Sequence, residues 1–185
     1  MTNYRPVSVL PAVSKVFEKI IHTQICTYVE SNKILHAHQY GFRKQHSTEL
    51  AALHLTDKIL DNMDNRLKTI AIFSDLSKAF DTIDHEILIQ KLKHYGMSNS
   101  ALNLIMSYLN DRKQFVDFSG TYSSYCTIST GVPQGSILGP LLFILYINDL
   151  PFITNNLESI LYADDGTFLL TPLVKRTQML KFLKQ

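Results

Sequence analysis

Three carboxylates stand where apolar strands end, and that placement constrains the chain more than any other feature. Asp75 follows Thr69-Ile70-Ala71-Ile72-Phe73, a β-rich run as short and apolar as a buried strand. Asp164 and Asp165 separate the apolar runs Ser159–Ala163 and Thr167–Leu170, and the Asp165-Gly166 pair signals a hairpin turn. Carboxylates are seldom buried unless something cationic compensates them. Taken singly, Asp75 reads equally as a helix N-cap and Asp164-Asp165 as a wet polar turn. Brought together from 89 residues apart (164 − 75), they make a hard, oxygen-rich site suited to Mg²⁺. Two such ions can activate an attacking oxygen and stabilise a leaving one in phosphoryl displacement. On spacing alone, a nuclease, a phosphatase and a polymerase fit equally well.

Around these acids, helices and strands interleave without a regular βαβ period, which predicts an α+β fold. Val13, Val16, Phe17, Ile20, Ile21 and Ile25 recur at helical spacing, with Ser14 a cap. A second helix is expected over about 48–63, with Glu49 in its first turn, where negative charge suits the macrodipole. Helices over 85–95, closed by Gly96, and about 99–110 follow, and Asp84 reads as the cap of the first of them. Two strands over 115–118 and 122–128 flank Ser119-Gly120-Thr121, and 136–149 reads as a buried helix. No repeat, low-complexity tract or linker marks a domain boundary.

Composition narrows the class. With 185 residues, 45% hydrophobic and 18% charged, a packed core is within reach and wholesale disorder is not. The net charge of +2 is uninformative, but the first fifty residues hold six basic groups against three acidic ones, a bias that suits a polyanion. Two cysteines, Cys26 and Cys126, make no disulfide framework and read as reduced, buried thiols of an intracellular protein. His36 and His38, even with Cys26, lack zinc-site spacing. The longest apolar stretch, 137–147, is about half what a bilayer demands and contains Gly139 and Pro140, so no membrane span is expected.

The residues flanking the acids decide among the chemistries. Phe73-Ser74-Asp75-Leu76-Ser77-Lys78-Ala79-Phe80-Asp81 comes first, then Gly131-Val132-Pro133-Gln134-Gly135-Ser136-Ile137-Leu138-Gly139-Pro140, then Leu161-Tyr162-Ala163-Asp164-Asp165. Asn3-Tyr4-Arg5-Pro6-Val7-Ser8-Val9-Leu10, Gln39-Tyr40-Gly41-Phe42-Arg43-Lys44-Gln45-His46-Ser47-Thr48 and Leu145-Tyr146-Ile147-Asn148-Asp149-Leu150-Pro151 agree with them. A lone Tyr-Ala-Asp-Asp arises by chance; several blocks in one order over roughly 3–170 do not. The chain resembles the reverse transcriptase domain of non-LTR (LINE-like, jockey-type) retrotransposons. The resemblance implies a fingers–palm fold, with a small antiparallel palm sheet packed on helices. About 1–68 would lie on the fingers side and about 69–185 mostly in the palm.

The same resemblance assigns roles. Asp75, Asp164 and Asp165 match the catalytic, metal-binding acids that hold two Mg²⁺ ions, with Mn²⁺ as a substitute. Neighbouring strand residues face opposite ways, so Asp165 is expected to contribute less directly than Asp164. Phe80 matches the bulky gate that excludes a ribose 2′-hydroxyl; its plain reading is core packing. Asp81 reads as structural. Gln134 and Gly135 match the nucleotide pocket, and Arg5 matches the arginine that meets the incoming triphosphate through bidentate, permanently charged hydrogen bonds. Arg43 and Lys44 are expected at template phosphates, a positioning contact.

Partners implied are an RNA template, a DNA primer and dNTP, in the nucleus or cytoplasm. The family's preceding fingers strand, helical thumb and endonuclease find no room in this sequence. The expectation is therefore an excerpt or shortened copy of an element's polymerase. The competing reading is a catalytically inactive nucleic-acid-binding remnant.

Overall fold

In the computed structural model, which describes residues 7–153 and 157–171, the chain forms two compact units that interleave along the sequence. The first takes residues up to 35 and 77–147; the second takes 36–76 and the residues from 148 onward.

The first unit is built on helices. Helix α1 (Ala12–Ser31), α3 (His85–His94), α4 (Asn99–Leu109) and α5 (Leu138–Tyr146) pack through the pairs α1–α5, α3–α5 and α3–α4. Helix α5 is apolar on nearly every side and buries Leu138, Gly139 and every residue from Leu141 to Leu145, as a central core helix must. Pro140 is tolerated because it lies in the first turn, where its missing N–H costs no helical bond. Asp84 caps α3, its carboxylate accepting from the Ile87 amide at 2.9 Å, as expected from sequence. Helix α1 departs from expectation: it starts at Ala12 with Pro11 as N-cap, and Ser14 lies inside its first turn. Pro11 fixes its own φ at −56° and leads directly into the helix.

Between α4 and α5 runs a narrow ribbon. Strands β2 (Lys113–Gln114) and β5 (Cys126–Thr127) pair, as do β3 (Asp117–Phe118) and β4 (Thr121–Tyr122). Ser119 and Gly120 close it with φ of +51° and +82°, the doubly positive signature of a type I′ hairpin. Cys126 is exposed there and Cys26 half-buried, so the expectation of two buried thiols fails: a two-residue ribbon strand has no core to hide in.

The second unit is a three-stranded antiparallel sheet in the order β1 (Ile70–Asp75), β7 (Asp165–Leu170), β6 (Leu157–Tyr162), with α2 (Thr48–Asp64) packed on β6. Ser47 caps α2, accepting from the Leu50 amide at 3.3 Å, and Glu49 occupies the first turn as expected. Buried Asn62 donates to the Thr69 and Thr171 hydroxyls, both at 2.9 Å, tying the start of β1 to the end of β7. The sequence predicts β1 as a buried strand, and this is corrected. Ile72 and Phe73 are 49% and 71% exposed, because β1 is an edge strand and α2 covers β6 instead.

Candidate active site

The acids assemble from the register of the sheet. Asp75, the last residue of β1, is the direct partner of Asp165, the first of β7, and Asp165 in turn faces Tyr162 of β6. Asp164 lies between them in the two-residue turn Ala163-Asp164, and its carbonyl accepts from the Leu76 amide at 3.3 Å. All three therefore sit at one end of one sheet. The turn is not the expected Asp-Asp-Gly tip. Asp165 and Gly166 are already in β7, and the residue with positive φ (+55°) is Ala163. Gly166 is small for space: a Cβ there would lie 2.9 Å from the Phe168 ring. Since Asp164 belongs to the turn, strand alternation does not govern it, and cross-strand pairing puts Asp75 and Asp165 on the same face. Asp75 and Asp165 are exposed and Asp164 is half-buried. Among the described residues, the side chains whose donor atoms gather within 4.8 Å are His38, His54 and Glu158; the aspartates do not converge that closely.

The turn is braced by the loop that carries the block from Gln39 to Thr48. Gln39, 1% exposed, accepts at Oε1 from the amides of Gly41 (2.8 Å) and Ala163 (3.3 Å). Its neighbours extend the sheet: the Tyr40 amide donates to Leu161 (2.7 Å) and the Leu161 amide to His38 (2.9 Å). Gly41 is required by proximity, since a Cβ would fall 2.2 Å from the Ala163 nitrogen. Arg43 Nη1 donates to the carbonyls of His36 (3.1 Å) and Gln39 (3.5 Å), so it staples this loop, while Lys44 is exposed.

In the first unit, a second group forms around Gly131, whose φ is +85°. A Cβ there would meet the Asp81 Cα, the Asp81 carbonyl and the Phe80 carbonyl, each at 2.8 Å. That close approach lets the Val132 amide donate to Phe80 (2.8 Å) and the Gly131 amide to Ile83 (2.7 Å), while His85 Nε2 donates to the Gly131 carbonyl (2.7 Å). Gln134 Nε2 donates to Asp81 Oδ1 at 3.0 Å, giving Asp81 a positioning task. The exposed Gly135 has φ +96°, and the Gln134 carbonyl accepts from the Ser8 amide at 2.8 Å. Phe80 is half-buried against Phe143, ring centroids 4.8 Å apart. Arg5 lies outside the described residues.

Behind Gln134, Glu18 of α1 is 2% exposed and serves the start of α5. Its Oε2 accepts from the amides of Ile137 (2.6 Å) and Leu138 (3.4 Å), and its Oε1 from the Tyr108 hydroxyl (3.0 Å). Ser136 Oγ accepts from the Gly139 amide at 2.9 Å, so the early donors of α5 are satisfied without an ordinary N-cap residue. Burial pushes the Tyr108 phenol up to about 12, a rise that its hydrogen bond to Ser136 opposes and the Glu18 charge reinforces. No sequence pattern marks Glu18, whose partner amide at Ile137 lies 119 residues away (137 − 18), and the block that contains Gln39 does not reveal its bond to the Ala163 amide, 124 residues away (163 − 39).

The family model for reverse transcriptase (RNA-dependent DNA polymerase) matches residues 1–185. A probable RNA-directed DNA polymerase from transposon X-element of Drosophila melanogaster is 38% identical over 80% of this chain and 16% of its own length. The RNA-directed DNA polymerase from mobile element jockey of the same species is 34% identical over 90% and 19%. The chain thus spans less than a fifth of these relatives. Among solved structures, apo telomerase from Candida tropicalis superposes with TM-score 0.64 at 14% identity, over 90% of this chain and 33% of that one. Telomerase from Candida albicans gives TM-score 0.59 at 15% identity. The expected α+β, reverse-transcriptase-like fold is borne out. No helix among the described residues is long and apolar enough to cross a membrane.

Proposed function

We propose that this chain, which belongs to the reverse transcriptase family, carries the nucleotide-adding centre of an RNA-directed DNA polymerase of a non-LTR retrotransposon. The observation that carries the reading is the β1–β7 register, which sets Asp75 opposite Asp165 with Asp164 in the adjoining turn. The donor set fits Mg²⁺, or Mn²⁺ in its place: carboxylate oxygens are hard ligands, and two of the three acids are open to water and phosphate. Asp75, Asp164 and Asp165 would hold a pair of such ions, which supply charge stabilisation and an activated oxygen for phosphoryl transfer.

The chain's other residues position the reactants. Phe80 lies under the sugar of the incoming dNTP and excludes a 2′-hydroxyl. Gln134, oriented by Asp81, lines the nucleotide pocket beside Gly135, and Arg5 meets the triphosphate. Lys44 meets a template phosphate from the loop that Arg43 fixes. On this reading about 69–185 form most of the palm and about 1–68 the fingers side, and the polymer partners are an RNA template and a DNA primer inside the cell.

The test is Mg²⁺- and dNTP-dependent extension of oligo(dT) on poly(rA), with Asp164→Ala as control. Incorporation by the chain and none by the variant are expected. No incorporation by either, with equal RNA retention by both, would establish a nucleic-acid-binding remnant instead.

A further inference from the structure

In the second unit, distinct from the aspartates in chemistry, loop residue His38, α2 residue His54 and β6 residue Glu158 face one another. Their donor atoms all lie within 4.8 Å, and all three side chains are half-buried. His54 Nε2 is 3.2 Å from Glu158 Oε1. Two donors on one tetrahedral Zn²⁺, each about 2.0–2.1 Å from the ion, stand about 3.4 Å apart, so this pair needs almost no rearrangement to share a metal.

Each of the three also has a further partner. The Tyr40 hydroxyl is 2.9 Å from His54 Nδ1. The Ser159 carbonyl accepts a hydrogen bond from the His38 ring. Lys58 Nζ is 2.9 Å from Glu158 Oε2, leaving Oε1 as the inward oxygen. Outer partners of this kind fix the tautomer and orientation of metal-ligating imidazoles. A hydrogen-bonded ion cluster would explain Lys58–Glu158–His54, but it gives no reason for a second imidazole edge-on to the first, with ring centroids 4.3 Å apart.

We propose that His38, His54 and Glu158 form a transition-metal site, preferring Zn²⁺ and keeping one coordination position for water. Two nitrogen donors select Zn²⁺ and its neighbours over Mg²⁺, so the site is chemically separate from the three aspartates. The ion would tie the 36–41 loop to α2 and to β6, the strand that runs into the Ala163-Asp164 turn. Binding energy at such a site appears as folding energy, so the expected effect is stabilisation.

The test uses the untagged chain, stripped by chelator and kept in excess Mg²⁺, titrated with Co²⁺ and then Zn²⁺. One equivalent of Co²⁺ is expected, with visible absorption typical of tetrahedral nitrogen–oxygen ligation and no thiolate charge transfer, displaced by one equivalent of Zn²⁺. His54→Gln and Glu158→Gln should each weaken Zn²⁺ binding about tenfold or more, whereas the Asp75→Asn, Asp164→Asn double variant should bind it unchanged. Zinc-edge X-ray absorption on the unmutated chain, which depends on no variant folding, should show two imidazoles. Absence of saturable binding in Mg²⁺, a spectrum without imidazole, or loss of binding in Cys26→Ser overturns the site.

Discussion

Asp75 faces Asp165 directly across the β1–β7 ladder, two like charges at a position where a sheet would rather have none. Opposed like charges destabilise a strand pair by a few tenths to about 1 kcal/mol. Asp75→Asn should therefore raise unfolding free energy slightly in chelator, measured by urea denaturation. The same change should cut primer extension by about a hundredfold or more, the scale of losing a group that stabilises transition-state charge. Stability and activity moving in opposite directions is the signature expected of an acid kept for chemistry.

Gly41→Ala places a methyl 2.2 Å from the Ala163 nitrogen, and the obstacle is backbone, not the end of a flexible side chain. Overpacking of this kind costs about 1–3 kcal/mol even where side chains can give. A lower urea midpoint is expected, together with loss of extension, because the displaced turn carries Asp164.

Tyr108 predicts an alkaline limb. Its folded pKa of about 12 lies above the ordinary phenol value of about 10, so the native state holds the proton more tightly. The stabilisation is complete below pH 10 and is lost as pH rises toward 12. Tyr40, raised by burial and by Glu158, adds in the same direction. Stability measured between pH 9 and 12 should fall less steeply in Tyr108→Phe than in the unmutated chain.

Phe80 carries two readings that one variant separates. Phe80→Val removes part of the ring packed on Phe143 and should cost about 2 kcal/mol, less than a full Phe→Ala truncation. If the ring also guards the sugar, ribonucleotide use relative to deoxynucleotide, compared by kcat/KM, should rise about tenfold or more. The stability loss with unchanged sugar preference would make Phe80 a packing residue alone.

Much of this was legible because local chemistry agrees with the fold. Asp84 caps α3 by its own side chain, and Gly96, at φ +83°, follows α3 as a helix stop should. The turn falls two residues before the Asp165-Gly166 pair that usually marks one, because Gly166 here makes room for the Phe168 ring within β7. Burial of β1 was misread because an apolar run does not reveal how many neighbours its strand will have. Glu18, His54 and Glu158 carry no local pattern; their partners come from loop, helix and sheet segments brought together only by the fold.

The account rests on Asp75 and Asp164 serving one divalent-cation site, and Mn²⁺ titration followed by electron paramagnetic resonance tests it most directly. With Zn²⁺ present to occupy nitrogen donors, Asp75→Asn and Asp164→Asn should each abolish the same Mn²⁺ binding. The double variant should lose no more than either single one, as residues acting as a unit do. Full Mn²⁺ binding in either single variant, or additive losses showing separate sites, would contradict it.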